Sequence, residues 1–421
     1  MTGRVLISGA SIAGPTLAFW LARHGFDVTV VERAPALRPG GNGVDVRGQA
    51  IEVAERMGIM ARIRAVATDV IGTSFVNAAN QSVARIDLRA IQRRYGSDEV
   101  EIMRGDLSSI LYEATRDDVE YVFGDSISAI EQQDDGVTVA FEHAAPRRFD
   151  LVVGADGIHS LVRGLAFGPE ARFLHHLGHY AAFADADPAL GEDRWMTLYN
   201  LPGRMAGIYR SGNHSGAKAY FMFRRPAPEP FDHRDVDHRD VDHRDVEEQK
   251  RRLSDAFADV TSWRVPALLA GALADPDFYF DALSQVRMSS WSAGRVVLVG
   301  DAAHCASPVS GAGAMLGLIG AYRLAGELRA AAGNHRLAFE RYEAGHRGLV
   351  DRSQSNLFLG IVAPGHRASI WARNMMARLP LLGVMAGLER RLQPRTAPLP
   401  EYATTDLGAT DLGATDLGAT A

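Results

Sequence analysis

Short apolar runs bounded by glycine or polar turns recur at Arg4 to Ser8, Asp27 to Val31, Asp150 to Val153 and Arg295 to Val299, and that pattern predicts buried strands. Between the first two, helical spacing runs from about Pro15 to His24. Gln49 to Met60 and Leu107 to Ala114 predict short helices. Ala314 to Ala331 predicts a longer one, with apolar residues at Leu316, Ile319, Leu324 and Leu328. Asp117 to Ala140 alternates instead, around a turn at Asp134-Asp135-Gly136, and predicts a hairpin or meander. From Phe173 to about Met288 the character changes. Ala181–Phe183, Met196–Tyr199, Met205–Tyr209 and Ala219–Phe223 are short runs separated by Pro, Gly and Asn, as in a second, antiparallel sheet with one face covered. Gly333 to Arg395 returns to helical periodicity in segments broken by Pro364 and Pro380. The expectation is an α/β fold with a second, antiparallel sheet and C-terminal helices.

Two perfect repeats interrupt this pattern. Asp232-His233-Arg234-Asp235-Val236 occurs three times, ending at Val246. Histidines five residues apart fall on different sides of a helix, so metal binding is not expected and a solvated connection is. A Thr-Asp-Leu-Gly-Ala repeat from Thr405 predicts a disordered tail over 396–421.

At 421 residues the chain has room for two domains or one elaborate one. A net charge of −6 gives no reason to expect nucleic acid or an anionic membrane as partner. Lys218 and Lys250 are the only lysines, which reads as genomic bias toward arginine. Cys305 is the sole cysteine, so neither an intrachain disulfide nor a cysteine metal cluster is possible. The first strand begins at once, and no apolar run is long enough to span a bilayer, so a cytoplasmic protein is expected.

Three motifs carry chemistry. Gly9-Ala10-Ser11-Ile12-Ala13-Gly14 lies between the first strand and helix, and Glu32-Arg33 ends the next strand. This is a dinucleotide fingerprint with Ser11 at its middle glycine. Gly9 makes the turn, Gly14 permits close packing of helix on strand, and Glu32 suits ribose hydroxyls while disfavouring a 2′-phosphate. Asp156-Gly157 follows another buried strand and precedes Ser160 and Arg163. Asp156 and Arg163 form a candidate ion pair, or the turn lines a channel through which a second nucleotide arrives. His159 reads as a turn residue. Gly300-Asp301 then follows a strand and leads through Pro308, Gly311, Gly313 and Ala314 into a helix. Asp301 is placed to accept hydrogen bonds from ribityl hydroxyls, and Gly311 and Gly313 let backbone amides approach a ring that becomes anionic. Arg47, in a glycine-rich loop, is a solvated arginine or a contact to cofactor or substrate. Arg104 precedes the helix that Asp106 or Ser108 can cap; it is a shoulder residue or faces whatever the fingerprint binds. Met196, Tyr199, Tyr209, Tyr220, Met222 and Phe223 are pocket candidates, with core packing the commoner use for most such residues.

In this order and spacing the three motifs resemble the class A flavoprotein monooxygenases, the family of para-hydroxybenzoate hydroxylase and the tetracycline-inactivating monooxygenases. The resemblance covers roughly residues 1–395. It implies FAD bound extended, with adenosine at Glu32 and the ribityl chain at Asp301, and with Arg33 among the cofactor-binding residues. Arg104 matches an arginine that holds the ribityl-phosphate part, and Arg47 matches an arginine some members carry near the flavin. Pro308 is expected to shape the wall opposite the reactive carbon. The family pattern also implies a discontinuous Rossmann-like FAD-binding domain (1–75, 100–172 and 285–335) interleaved with a substrate-binding sheet domain (76–99 and 173–284), then C-terminal helices (336–395). NADPH or NADH would reduce FAD transiently, and O2 would form a flavin C4a-hydroperoxide that passes one oxygen atom to an aromatic or polyketide-like molecule. The departures are Ser11 and the pair Ala314-Met315, where many members have Met-Asn. A flavin halogenase is disfavoured, since no lysine precedes Lys218 and no Trp-x-Trp occurs. The alternatives are a FAD-dependent dehydrogenase or reductase without oxygen insertion, and a non-catalytic flavin- or drug-binding protein.

Overall fold

The computed structural model describes residues 3–38, 40–96, 98–224, 245–355, 359–378 and 398–402. Most of the histidine-containing repeat, the terminal repeat and the expected break at Pro380 lie outside the described residues. Two sheets organise the rest. The first has six strands in the order Ser292–Ala293, Val296–Leu298, Leu151–Gly154, Arg4–Ser8, Asp27–Glu32, Glu120–Phe123. All neighbours are parallel except the first pair. Its middle strands are buried on both faces, as parallel strands covered by helices must be. The helices Ala13–Arg23 and Gly313–Ala330 pack against each other beside it, so the beginning and end of the motif set share one core.

The second sheet runs Tyr279–Val286, Leu174–Ala186, Ala217–Arg224, Arg204–Arg210, Trp195–Leu201, Gly72–Val76, Ser82–Asp87. It is antiparallel except at one place: Gly72–Val76 lies parallel to Trp195–Leu201. That early hairpin is inserted from far back in the chain, so its direction is not set by a tight turn. It also starts the second sheet at Gly72, before the expected boundary at 76. Helices Val246–Phe257 and Val265–Ala274 cover one face; their apolar spacing was not read from the sequence. Asp245, from the last histidine repeat, caps the first of them by accepting from the Glu248 amide at 2.9 Å.

Several local expectations are corrected. The helix predicted over 49–60 is two, Gln49–Arg56 and Met60–Ala65, separated at Gly58, which has φ +74°. Of the expected meander, only Ile127–Gln133 and Gly136–Phe141 form the hairpin, while Glu120–Phe123 is the edge of the parallel sheet. The helix predicted from Leu107 begins at Arg104, so Asp106 lies in its first turn and neither Asp106 nor Ser108 caps it. No helix among the described residues is long and apolar enough to cross a membrane.

Candidate functional site

Gly9 has φ +105°, and its amide donates to the Val31 carbonyl at 2.8 Å. A β-carbon on Gly14 would fall on the Gly9 carbonyl oxygen, so the helix can start this close to the strand only with glycine there. Ile12 precedes the helix, Ala13 opens it, and no side chain caps it. Its first amides are therefore available to an anion. The Ser11 hydroxyl accepts from Arg104 Nε at 3.2 Å. Glu32 accepts from the amides of Ala10 and Ala34, both at 2.9 Å, which fixes the carboxylate at the turn and leaves each oxygen a second acceptor position. Arg33 beside it is exposed.

At the second motif Asp156 accepts from the Ser160 hydroxyl at 2.5 Å and from the Val162 amide at 3.1 Å, while Ser160 caps the helix Leu161–Phe167. The candidate pair of Asp156 with Arg163 is a charge interaction through space, not a direct ion pair. Arg163, fully buried, pairs with Glu170 at 2.9 Å and donates to the carbonyls of Ala302 at 3.0 Å and Ile158. It thus fastens the second motif to the third.

His159 is more than a turn residue. Its ring nitrogens meet Glu170 at 3.1 Å and Asp281 at 3.0 Å, joining the Asp-Gly turn to the second sheet. Burial alone would lower its pKa, but hydrogen bonds and charge from Asp281 and Glu170 outweigh burial and raise it to about 9. A raised histidine pKa gives stability that is complete below the unfolded value near 6.5 and is lost as pH climbs through 9. The thermal midpoint of the wild type is expected to fall between these pH values more steeply than that of His159→Gln. Parallel curves in scanning calorimetry would rule the bridge out as the cause.

The third motif faces the first two. Asp301 opens the short helix Asp301–His304. Burial raises its carboxyl pKa, opposed by the charge of Arg104 and the Cys305 thiol. Ser307 has φ +80°, and its buried hydroxyl finds no protein partner. Pro308 begins a 3₁₀ turn and is exposed. Arg47 Nη2 donates to the Ser310 carbonyl at 3.1 Å, tying the early glycine-rich loop to this late turn. Gly311 has φ +59°, and Gly313 starts a helix that no side chain caps, with Ala314 buried behind it. Gly313 also adjoins Asp301, since a β-carbon on it would lie 3.7 Å from that carboxylate. Two uncapped helix starts, the acceptors Glu32 and Asp301, and the orphaned Ser307 hydroxyl form a donor and acceptor set that fits FAD.

Strand pairing decides which pocket candidates share a face. Met196 pairs with Tyr209, Met205 with Met222 and Gly207 with Tyr220, so Met196, Tyr209, Tyr220 and Met222 occupy one face. Phe183 meets Tyr220 there at 4.9 Å, and Val309 of the late turn packs on the same cluster. Ala363 and Ala377 of the C-terminal segment close it elsewhere. Tyr199 and Phe223 alternate to the opposite face. Tyr199 bonds Ser262 at 2.8 Å and lies 5.5 Å from Trp263, and Phe223 lies 6.2 Å from Phe257. These two are core under helices, which corrects their assignment to the pocket.

Sequence reasoning missed Asp45 and Glu101. They come together because Gly43–Val46 pairs with Val100–Met103, and residues so distant in sequence give no local sign of that register.

Comparison with known proteins gives the same reading. A family model described as FAD binding domain matches residues 2–344. An uncharacterized protein of Mycobacterium tuberculosis is 44% identical over 351 residues, covering 83% of this chain and 91% of that protein. A flavin-dependent monooxygenase of Legionella longbeachae is 39% identical, covering 83% and 87%. Among solved structures, that of tetracycline destructase Tet(55) is 34% identical, with a TM-score of 0.77 over 95% of this chain and 99% of that one.

Proposed function

Since the chain belongs to the FAD-binding-domain family of the flavin-dependent monooxygenases, we propose that it inserts one oxygen atom into a sizeable aromatic or polyketide-like molecule, with NADPH or NADH as reductant. The enzyme is FAD-dependent. The observation that carries the substrate class is the apolar face of Met196, Met222 and Phe183, which meets the late turn through Val309. The tetracycline destructases support a polycyclic ligand for such a face. A secondary-metabolite or antibiotic scaffold is the corresponding substrate type.

When bound, FAD supplies the redox chemistry: a hydride arrives from NAD(P)H, and of the two atoms of O2 one goes to the substrate and one leaves as water. The chain does the rest. Arg104 and Ser11 orient the phosphate side, and Glu32 and Asp301 take the hydroxyls at either end. Amides from Gly311 to Ala314 hold negative charge at the ring. The apolar face excludes water. Tyr209 and Tyr220 add aromatic surface to that face.

The test is NADPH oxidation and oxygen uptake against a panel of polycyclic phenols, polyketides and simple benzoates, with product measured. Substrate-linked oxygen uptake with product from a polycycle is expected. Efficient turnover of a small charged benzoate alone would contradict the substrate class, and NADPH oxidation without oxygen insertion would contradict monooxygenation. Met222→Ala is expected to raise KM about 10-fold by removing apolar contact, whereas Tyr199→Phe changes KM less than about twofold because it sits on the other face.

A further inference from the structure

The ribbon formed by Gly43–Val46 and Val100–Met103 sets two carboxyls directly opposite one another, Asp45 and Glu101. Like charges in such a cross-strand pair cost stability. Their neighbours Val44, Val46, Val100 and Ile102 turn to the other face of the ribbon, so Asp45 and Glu101 lie on the same side. Glu101 folds over Gly43, where a β-carbon would collide with its Oε1. It accepts from the Thr68 hydroxyl at 2.8 Å, and the Tyr209 hydroxyl faces it. The Tyr220 hydroxyl reaches the Gly43 backbone beside it. Asp45 extends the other way, with Oδ2 3.1 Å from where a β-carbon of Gly311 would stand.

The charged groups around Asp45 come from few elements. Glu101 faces it across the ribbon, Glu99 lies on the approach to that strand, and Arg47 follows on its own side. The late turn from Ser307 to Ala314 carries no ionisable side chain, and Tyr209 and Tyr220 are the second sheet's contribution, facing Glu101. Burial, then Glu101, push the Asp45 carboxyl up to about 6, with Arg47 opposing; burial raises Glu101 as well.

We propose that Asp45, held beside Glu101 in this ribbon, compensates charge for the turn Gly311–Ala314, so that negative charge arriving beside that turn draws a proton onto Asp45. This rests on the reading that the flavin ring lies at that turn. Two electrons and one proton delivered to bound FAD leave one negative charge on the ring. One further proton, taken from solvent, forms the O–H bond of the Asp45 carboxyl, and no bond between Asp45 and the flavin is made. By linkage, protonating the pair favours the reduced ring as much as the reduced ring favours protonation. Asp45 is thus a positioning residue for charge, acting through space.

The test uses the FAD-loaded full chain and its Asp45→Asn and Glu101→Gln variants, photoreduced without oxygen in weak buffer containing a pH indicator. Protons taken up are counted per two electrons. The wild type is expected to take up more than one proton near pH 7. Uptake should fall toward one at pH values well below about 6, where Asp45 already carries its proton. Asp45→Asn is expected to take up one throughout, and Glu101→Gln to shift the window down by about one pH unit. Infrared spectra of the oxidised proteins give a second readout: a protonated-carboxyl band growing from pH 7 to 5 in the wild type and lost in Asp45→Asn. A yellow wild type that takes up one proton at every pH overturns the proposal alone. A protein that cannot be loaded with FAD overturns it together with the reading beneath it.

Discussion

Gly14→Ala is expected to purify colourless and to bind added FAD at least about 100-fold more weakly, a loss of about 2.7 kcal/mol. The added β-carbon would coincide with the Gly9 carbonyl oxygen, which is backbone and cannot swing aside as a side chain does. Relief requires moving the start of the helix Ala13–Arg23 away from the strand Arg4–Ser8, and with it the uncapped amides offered to the pyrophosphate. The shift also disturbs the late motif, since Gly300 approaches Ala13 so closely that a β-carbon on it would lie 2.9 Å from the Ala13 β-carbon. Ser11→Gly is the control. It restores the usual middle glycine and gives up the contacts of the Ser11 hydroxyl with Arg104 and Ser108, so it should keep its flavin. Flavin content by absorbance and affinity by fluorescence titration check both.

Arg163→Ala is expected to lower stability by about 3 kcal/mol, because it empties a fully buried site, leaves the Ile158 and Ala302 carbonyls without this donor and leaves Glu170 with His159. The side chain is fully buried and serves Ile158, Ala302 and Glu170 together. Ala302 follows Asp301 directly, so flavin retention should fall along with the thermal midpoint. Arg163→Lys retains the charge but lacks the planar fork, and rescue should be partial. Calorimetry on both variants decides. An unchanged midpoint in Arg163→Ala would mean the buried guanidinium is not holding the two motifs together.

What the sequence shows and what it hides divide along physical lines. The fingerprint around Gly9 and Gly14 is legible because a turn, a close approach and a helix start each demand a small residue at a fixed spacing. The late motif is legible for the same reason at Asp301, Gly311 and Gly313. The second sheet's strands show through their apolar runs, but not which face is which. Tyr199 and Tyr209 look alike in a list of aromatic residues. Only the pairing of Met196 with Tyr209 separates the face that meets the late turn from the face under the helices. Arg163 is legible as a motif residue, yet its partner is not, since Glu170 and Asp156 are both nearby carboxylates and only the fold shows that Glu170 makes the direct contact. The pair Asp45 and Glu101 depends wholly on long-range register.

The electron density of FAD in crystals of the loaded protein tests the central claim most directly. The account predicts one extended cofactor, its adenosine ribose within hydrogen-bond distance of Glu32, its ribityl chain at Asp301 and its ring against the turn Gly311–Ala314. A flavin seated elsewhere, or one that touches Glu32 while leaving Asp301 and that turn untouched, would contradict it.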